Sequence, residues 1–168
     1  LWMIGRDMLL EYEKRDPFEL DTQIGLSKTT STLTGWGYNE YAQELADRAR
    51  RTADSYPAYP TLVGTSATAL TSVGLHEVGI EYADKAIAME ATTQPWSKAW
   101  YAKGRALYEL GKEEEAIQTL ITATEKQPGA EGALLAHQVL AQIFEARGED
   151  ELFEFHKEMG GGEVTYLE

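Results

Sequence analysis

The sequence predicts an all-α protein, a solenoid of stacked antiparallel helical hairpins. The first observation is a repeat of 37 residues marked by four glycines, Gly37, Gly74, Gly111 and Gly148. The second is that a large apolar residue precedes each glycine by four positions, at Leu33, Leu70, Leu107 and Phe144. Because neighbouring copies of a repeat bury each other's apolar faces, such a chain forms an elongated stack with a continuous core and a long exposed surface.

The opening residues, 1–15, are in register with the second helix of a hairpin whose first helix is missing from the sequence. Trp2, Gly5, Leu9 and Tyr12 occupy the register positions of that helix, and Pro17 follows them where a connecting loop is expected. We therefore expect an orphan helix at the start of the chain. An array that begins in the middle of a repeat indicates a fragment of a longer protein.

The first two hairpins are expected at about residues 20–55 and 60–91. Ala42 and Gly79 keep the small residue that follows each repeat glycine by five positions. The first helix of the first hairpin is rich in Thr and Ser, which are indifferent helix formers, so its assignment depends on the repeat register. The Pro-rich stretch at residues 56–60 indicates a lengthened connection between these hairpins.

The third hairpin, expected at about residues 96–127, has the clearest pattern. Apolar residues recur at three- and four-residue spacing in both halves, which places each set on one face of a helix. They are Trp100, Leu107 and Leu110 in the first half, and Ile117, Leu120 and Ile121 in the second. Gly111 can close the first helix in a left-handed conformation, and the run of carboxylates at residues 113–115 favours the start of the second.

This third hairpin resembles a tetratricopeptide repeat. Its small and large residues stand at the signature spacings of that family, namely Trp100, Gly104, Leu107, Gly111, Ala116, Leu120, Ala123 and Pro128. The resemblance implies a right-handed superhelix whose first helices line a concave groove. It also implies a protein or peptide as the partner held in that groove.

The fourth hairpin is expected at about residues 131–159, with a flexible tail over 160–168. Leu140, Ala141 and Phe144 keep the repeat pattern in its first helix. Phe153 and Lys157 depart from the pattern in its second helix, which is the helix least supported by the sequence.

Composition and charge exclude several classes of function. The chain has 168 residues, and its 28 acidic residues outnumber 15 basic ones to give a formal net charge of −13, which opposes binding to nucleic acid. No apolar run approaches the ~20 residues that span a bilayer, so membrane insertion is not expected. The absence of cysteine excludes disulfides and thiolate metal sites and leaves the compartment unknown, with the cytoplasm slightly favoured.

The sequence contains no catalytic, cofactor or metal-binding motif. Its histidines, His76, His137 and His156, lie far apart along the chain and are not expected to form a ligand pair. We expect His156 to lie on a solvated terminal helix. The chain is therefore predicted to be noncatalytic, with no cofactor and no metal.

The candidate binding site is the outward stripe of the first helices. Its residues are Thr68, Thr71, Lys98, Tyr101, Arg105, Tyr108, Gln138 and Gln142. Tyrosine and arginine supply much of the binding energy at protein interfaces, and the cations Lys98 and Arg105 would attract a partner's carboxylate. In the alternative interpretation, Tyr101 and Tyr108 fill space between hairpins while the two cations solvate the surface.

The predicted function is a scaffold that binds a protein or peptide. A second hypothesis is self-association into a homo-oligomer through exposed apolar residues of the terminal helices. These residues are Trp2, Met3 and Leu9 in the first helix, and Leu152, Phe155 and Met159 in the last. A third, more remote hypothesis is that the chain is the regulatory region of a larger enzyme.

Overall fold

The computed structural model describes residues 7, 8, 11, 14, 15, 20–89 and 97–162, and within them it contains eight α-helices and no strand. The helices are α1 (Leu20–Gly35), α2 (Asn39–Ser55), α3 (Pro60–Ser72), α4 (His76–Ala88), α5 (Ser97–Glu109), α6 (Glu113–Lys126), α7 (Glu131–Arg147) and α8 (Asp150–Met159). The predicted all-α fold is confirmed. The described residues of the expected opening helix are helical, and its remaining residues lie outside the described part of the chain.

The four repeat glycines make the turn inside each hairpin. Their φ angles are 77° at Gly37, 82° at Gly74, 73° at Gly111 and 70° at Gly148, a left-handed conformation that side chains disfavour. At each turn the glycine N–H donates to the carbonyl three residues earlier, and the next N–H donates to the carbonyl five residues earlier, at 2.9–3.1 Å. This is the Schellman motif. The carbonyls that accept these second hydrogen bonds belong to the apolar residues four positions before the glycines, Leu33, Leu70, Leu107 and Phe144.

The contacts divide the chain into two compact units, residues 1–86 and 87–168. In the first unit α1, α2 and α3 pack against one another around Leu26, Leu33, Ala42 and Leu45. Three threonines of α1 donate to carbonyls of their own helix, so their hydroxyls do not disrupt this packing. Thr30 Oγ1, for example, donates to the Leu26 carbonyl oxygen at 2.8 Å.

In the second unit α5 packs against α6 and α7, and α7 packs against α8. Its core consists of Tyr101, Ile117, Leu120, Ala123, Ala136, Val139, Leu140, Ile143 and Phe144. Two glycines allow the close approach of these helices. A Cβ on Gly104 would lie 2.6 Å from the Leu120 Cγ, and a Cβ on Gly132 would lie 2.4 Å from the Lys98 backbone nitrogen.

The second helix of the fourth hairpin is fully formed, although the sequence pattern supports it least. Phe153 of α8 stands at the position of the expected small residue, and its partly buried ring packs against the core of the second unit. Arg147, at the end of α7, pairs with both Glu113 and Glu114 at the start of α6, with Nη2 2.5 Å from each carboxylate. In the described part of the chain, none of the helices combines the length and the apolar character needed to cross a bilayer.

Candidate functional site

Only part of the predicted groove stripe reaches the surface. The structure leaves Arg105, Tyr108 and Gln138 partly exposed. It buries the other five residues, Thr68, Thr71, Lys98, Tyr101 and Gln142. The expectation that the whole stripe is exposed is therefore wrong for those five, and the reason differs from one residue to another.

In the first unit, Thr68 and Thr71 are buried because α3 is covered on every side. All residues from Leu62 to Ser72 are buried, and Thr68 Oγ1 bonds to the Gly64 carbonyl oxygen at 3.3 Å. Thr71 lies against α4, where Gly79 approaches so closely that a Cβ there would be 2.3 Å from Thr71 Oγ1. These two hydroxyls are part of the helix packing.

In the second unit, Lys98 is the buried member of an ion pair. Its Nζ lies 3.2 Å from Glu131 Oε2, and the exposed fraction of its side chain is 6%, against 40% for Glu131. A buried ammonium needs its counter-ion, because breaking such a pair leaves an uncompensated charge. Lys98 therefore joins α5 to α7 and is not available to a partner's carboxylate.

Tyr101 belongs to the core of the second unit and is 5% exposed. For this residue the structure favours the interpretation of a side chain that fills space between helices. Gln138, by contrast, is partly exposed and donates from Nε2 to the Gly160 carbonyl oxygen at 3.1 Å, which ties α7 to the residue after α8.

Arg105 and Tyr108 form the part of the stripe that remains accessible on α5. They are three residues apart and so lie on one face of the helix. The side chain of Tyr108 packs against the core of the second unit while the residue stays partly exposed. The Nε atom of Arg105 is buried and has no hydrogen-bond partner among the described residues. One repeat later, their register positions on α7 hold Gln142 and the exposed Glu145.

A buried histidine pair lies between α7 and α8, and the sequence pattern did not predict it. The Nδ1 atoms of His137 and His156 are 2.7 Å apart, and the two residues are 7% and 6% exposed. The ring of His156 stacks on the ring of Phe144 with the centroids 5.4 Å apart. The ring of Phe155 meets it edge-on with the centroids 5.0 Å apart. The expectation of a solvated His156 is therefore wrong.

The environment of this pair keeps both rings neutral. Burial, together with the neighbouring His137, lowers the pKa of His156 to about 4, and burial lowers the pKa of His137. One ring must donate from Nδ1 while the other accepts, which requires opposite tautomers. The repeat register could have indicated the burial of both histidines. The equivalent positions 37 residues earlier hold Trp100, which is half-buried, and Thr119, which is buried.

The described residues contain no group of three or more His, Cys, Asp or Glu side chains that could hold a metal ion. Among the described residues, the rings in contact with the histidine pair are those of Phe144 and Phe155, which offer no metal ligand. A zinc or similar site needs three or four ligands, so the pair by itself does not make one.

Comparison with known proteins identifies the fold. No protein-family model and no curated protein matches the chain. Among solved structures, MamA aligns with a TM-score of 0.60 at 17% identity, covering 96% of this chain and 90% of that one. The first TPR domain of the human RPAP3 protein aligns with a TM-score of 0.55 at 22% identity, covering 77% and 94%.

A tetratricopeptide repeat protein from Parabacteroides merdae ATCC 43184 aligns with a TM-score of 0.53 at 16% identity, covering 91% of this chain and 56% of that one. The chain therefore has the fold of the tetratricopeptide repeat domains. The resemblance found in the third hairpin is confirmed at the level of the fold.

Proposed function

We propose that the chain is a noncatalytic scaffold that binds a protein or peptide partner on the accessible part of the α5 stripe. The likeness to tetratricopeptide repeat structures supports a role in protein interaction in general. The observation that carries the specific proposal is the buried, unpartnered Nε of Arg105 beside the partly exposed Tyr108.

The chemistry of Arg105 indicates what kind of group the partner presents. A buried donor without an acceptor costs about 1–3 kcal/mol, and the Arg105 side chain recovers that cost when it turns outward to meet a partner's acceptor. A guanidinium matches a carboxylate with two parallel hydrogen bonds, and a tyrosine ring supplies rigid contact area beside it. We therefore assign a carboxylate of the partner, from an acidic side chain or a chain terminus, to Arg105. Lys98 is excluded from this role by its pairing with Glu131.

The test is the variant Arg105→Met, which keeps the volume of the side chain and removes the charge and the donor. A partner is captured with the parent chain and identified, and its Kd is then measured for the parent and the variant by calorimetry. We expect binding to weaken about 10- to 100-fold, the equivalent of a lost charged hydrogen bond of about 1.5–3 kcal/mol. The thermal midpoint of the free variant should be unchanged or higher, because an unsatisfied buried donor has been removed.

Lys112→Met is the matched control, since it removes an exposed cation from the turn between α5 and α6. It should leave the Kd unchanged. Equal affinity of the parent and Arg105→Met, with both proteins folded, would reject the site. If the captured partner is a second copy of the chain, the self-association hypothesis replaces the scaffold.

A further inference from the structure

The last helix, α8, carries an exposed apolar patch on one of its faces. Its members are Leu152, Phe155 and Met159, whose three- and four-residue spacing places them on one face of the helix. Their exposed fractions are 40%, 53% and 47%. Scattered exposed apolar residues are common, but a contiguous set on one helix face is typical of an interaction site.

The repeat register shows that two members of this patch, Phe155 and Met159, depart from the rest of the chain. The positions equivalent to Phe155 in the other hairpins are Glu44, Glu81 and Gln118, and all three are exposed. The positions equivalent to Met159 are Arg48, Lys85 and Thr122. Packing within a hairpin therefore does not require an apolar residue at either place. At these two positions the fourth hairpin presents apolar side chains where the other hairpins present polar ones.

Carboxylates border the patch. Glu151 lies four residues before Phe155 and Glu158 three residues after it, so both side chains neighbour the Phe155 ring on the helix surface. Both are exposed, and neither has an ion-pair partner among the described residues. Glu158 stands at the register position of Ile121, which packs against the core of the second unit. An apolar surface that covered this border would leave the carboxylates desolvated and unpaired.

We propose that the α8 patch docks a basic amphipathic helix of a partner protein, with apolar residues on the patch and Lys or Arg side chains against Glu151 and Glu158. A second copy of this chain fits less well, because an isologous contact would oppose two acidic borders on chains with a net charge of −13 each. This surface lies on α8 and does not include Arg105, so it can fail or succeed independently of the proposed function.

The experiment uses a synthetic basic helix as the probe. The peptide carries Leu and Phe at positions i, i+3, i+4 and i+7, with Lys on both flanks of this face. One control peptide has the same composition in scrambled order, and another has Glu in place of every Lys. Binding to the full chain is measured by fluorescence anisotropy at low salt, and we expect a measurable Kd for the basic amphipathic peptide alone.

The matched variant is Phe155→Gln with Met159→Thr, which restores the residues that α6 carries at these positions. It should weaken binding of the basic peptide about tenfold or more. The Phe155 ring lies against the His156 ring, with the centroids 5.0 Å apart, so a change at Phe155 can also affect the packing of α8. The second variant is therefore Met159→Thr alone. It should weaken binding without any loss of helix content. Leu134→Gln, on α7, removes an apolar side chain of similar exposure, 38%, outside the patch and should leave the Kd unchanged.

Three results would overturn the proposal. The first is an absence of binding, or binding that the folded patch variants do not weaken. The second is equal binding of the acidic and basic peptides, which would show that the border carboxylates select nothing. The third is a parent chain that dimerises in light scattering while the patch variants stay monomeric, because the occupant would then be a second copy.

Discussion

At Gly104 and Gly132 the approach of two helices leaves no room for a side chain, but the neighbours differ in their ability to move. A Cβ on Gly104 would meet the side chain of Leu120, at 2.6 Å from Cγ and 2.7 Å from Cδ2. A Cβ on Gly132 would meet backbone atoms of Ser97 and Lys98, at 2.4–2.7 Å. A leucine can change rotamer, whereas the start of a packed helix can only shift as a whole.

We therefore predict that Gly132→Ala destabilises the protein more than Gly104→Ala. Overpacking usually costs about 1–3 kcal/mol, and we expect Gly132→Ala at or above the upper end of that range. For Gly104→Ala we expect about 1 kcal/mol, because the better helix propensity of alanine offsets part of the strain. Urea unfolding followed by circular dichroism measures both free energies of unfolding.

Gly35→Ala is the control for this pair. The Cβ would meet nothing within 4 Å, and φ there is not positive. This variant should be neutral or stabilised by up to about 1 kcal/mol, since alanine restricts the unfolded chain. Equal losses for Gly104→Ala and Gly132→Ala would contradict the distinction between side-chain and backbone neighbours.

At the scale of helices, the pairing of His137 with His156 fastens α8 to α7 through two neutral rings. Burial is the main cause of the lowered pKa of both rings, and the charge of a protonated His137 lowers the pKa of His156 further. Phe144 of α7 and Phe155 of α8 complete the aromatic surroundings. The hydrogen bond between the two Nδ1 atoms needs at least one neutral ring, and burial disfavours a charge on either ring.

We predict that this pair makes the stability of the chain fall in mild acid. In the folded protein the pKa of His156 is about 4, below the ordinary value of 6.5, so the unfolded chain binds the proton more tightly. The resulting stability is complete above pH ~6.5, is lost progressively as the pH falls towards ~4, and changes no further below that. Each histidine contributes at most about a tenfold rise in the unfolding equilibrium constant per pH unit.

The comparison is between the parent and the double variant His137→Leu/His156→Leu. Leucine occupies both register positions in the first hairpin, where Leu26 and Leu45 are fully buried. Urea midpoints measured from pH 7 to pH 4 should fall more steeply for the parent, while titration of the carboxylates affects both proteins equally. Parallel curves would show that the pair does not control the acid response.

The sequence predicts the turns between helices better than it predicts which side chains of the site are buried. The turn glycines were predictable because a left-handed residue recurs at a fixed interval, whatever the surrounding side chains. The burial of Tyr101 was one of two interpretations and the burial of Lys98 was not predicted, because both depend on how closely α7 approaches α5. That distance is set by the missing side chain of Gly132. The histidine contact joins residues 19 positions apart, and it becomes predictable only when the hairpin turn at Gly148 brings α7 and α8 together.

At the scale of the whole molecule, the fold follows from the repeat, whereas the partner does not. The repeated residues, such as Leu33 and Leu70, are buried and specify packing. The residues that we assign to binding, Arg105 on one helix and Phe155 on another, are departures from the repeat. Recognition is therefore expected where one hairpin differs from the others at an exposed position.

The acidic balance of the chain determines how its thermal stability responds to salt. With a formal net charge of −13, like charges repel one another more in the compact state than in the expanded unfolded state. Raising the ionic strength from about 0.01 M to about 0.15 M shortens the screening length from ~30 Å to ~8 Å. We therefore expect sodium chloride to raise the thermal midpoint over this range, because the exposed ion pairs that it also weakens contribute little. Trehalose at matched osmolality is the uncharged control. A thermal midpoint that falls with salt would contradict the prediction. It would mean that attractive pairs, such as Arg147 with Glu113 and Glu114, outweigh the net repulsion.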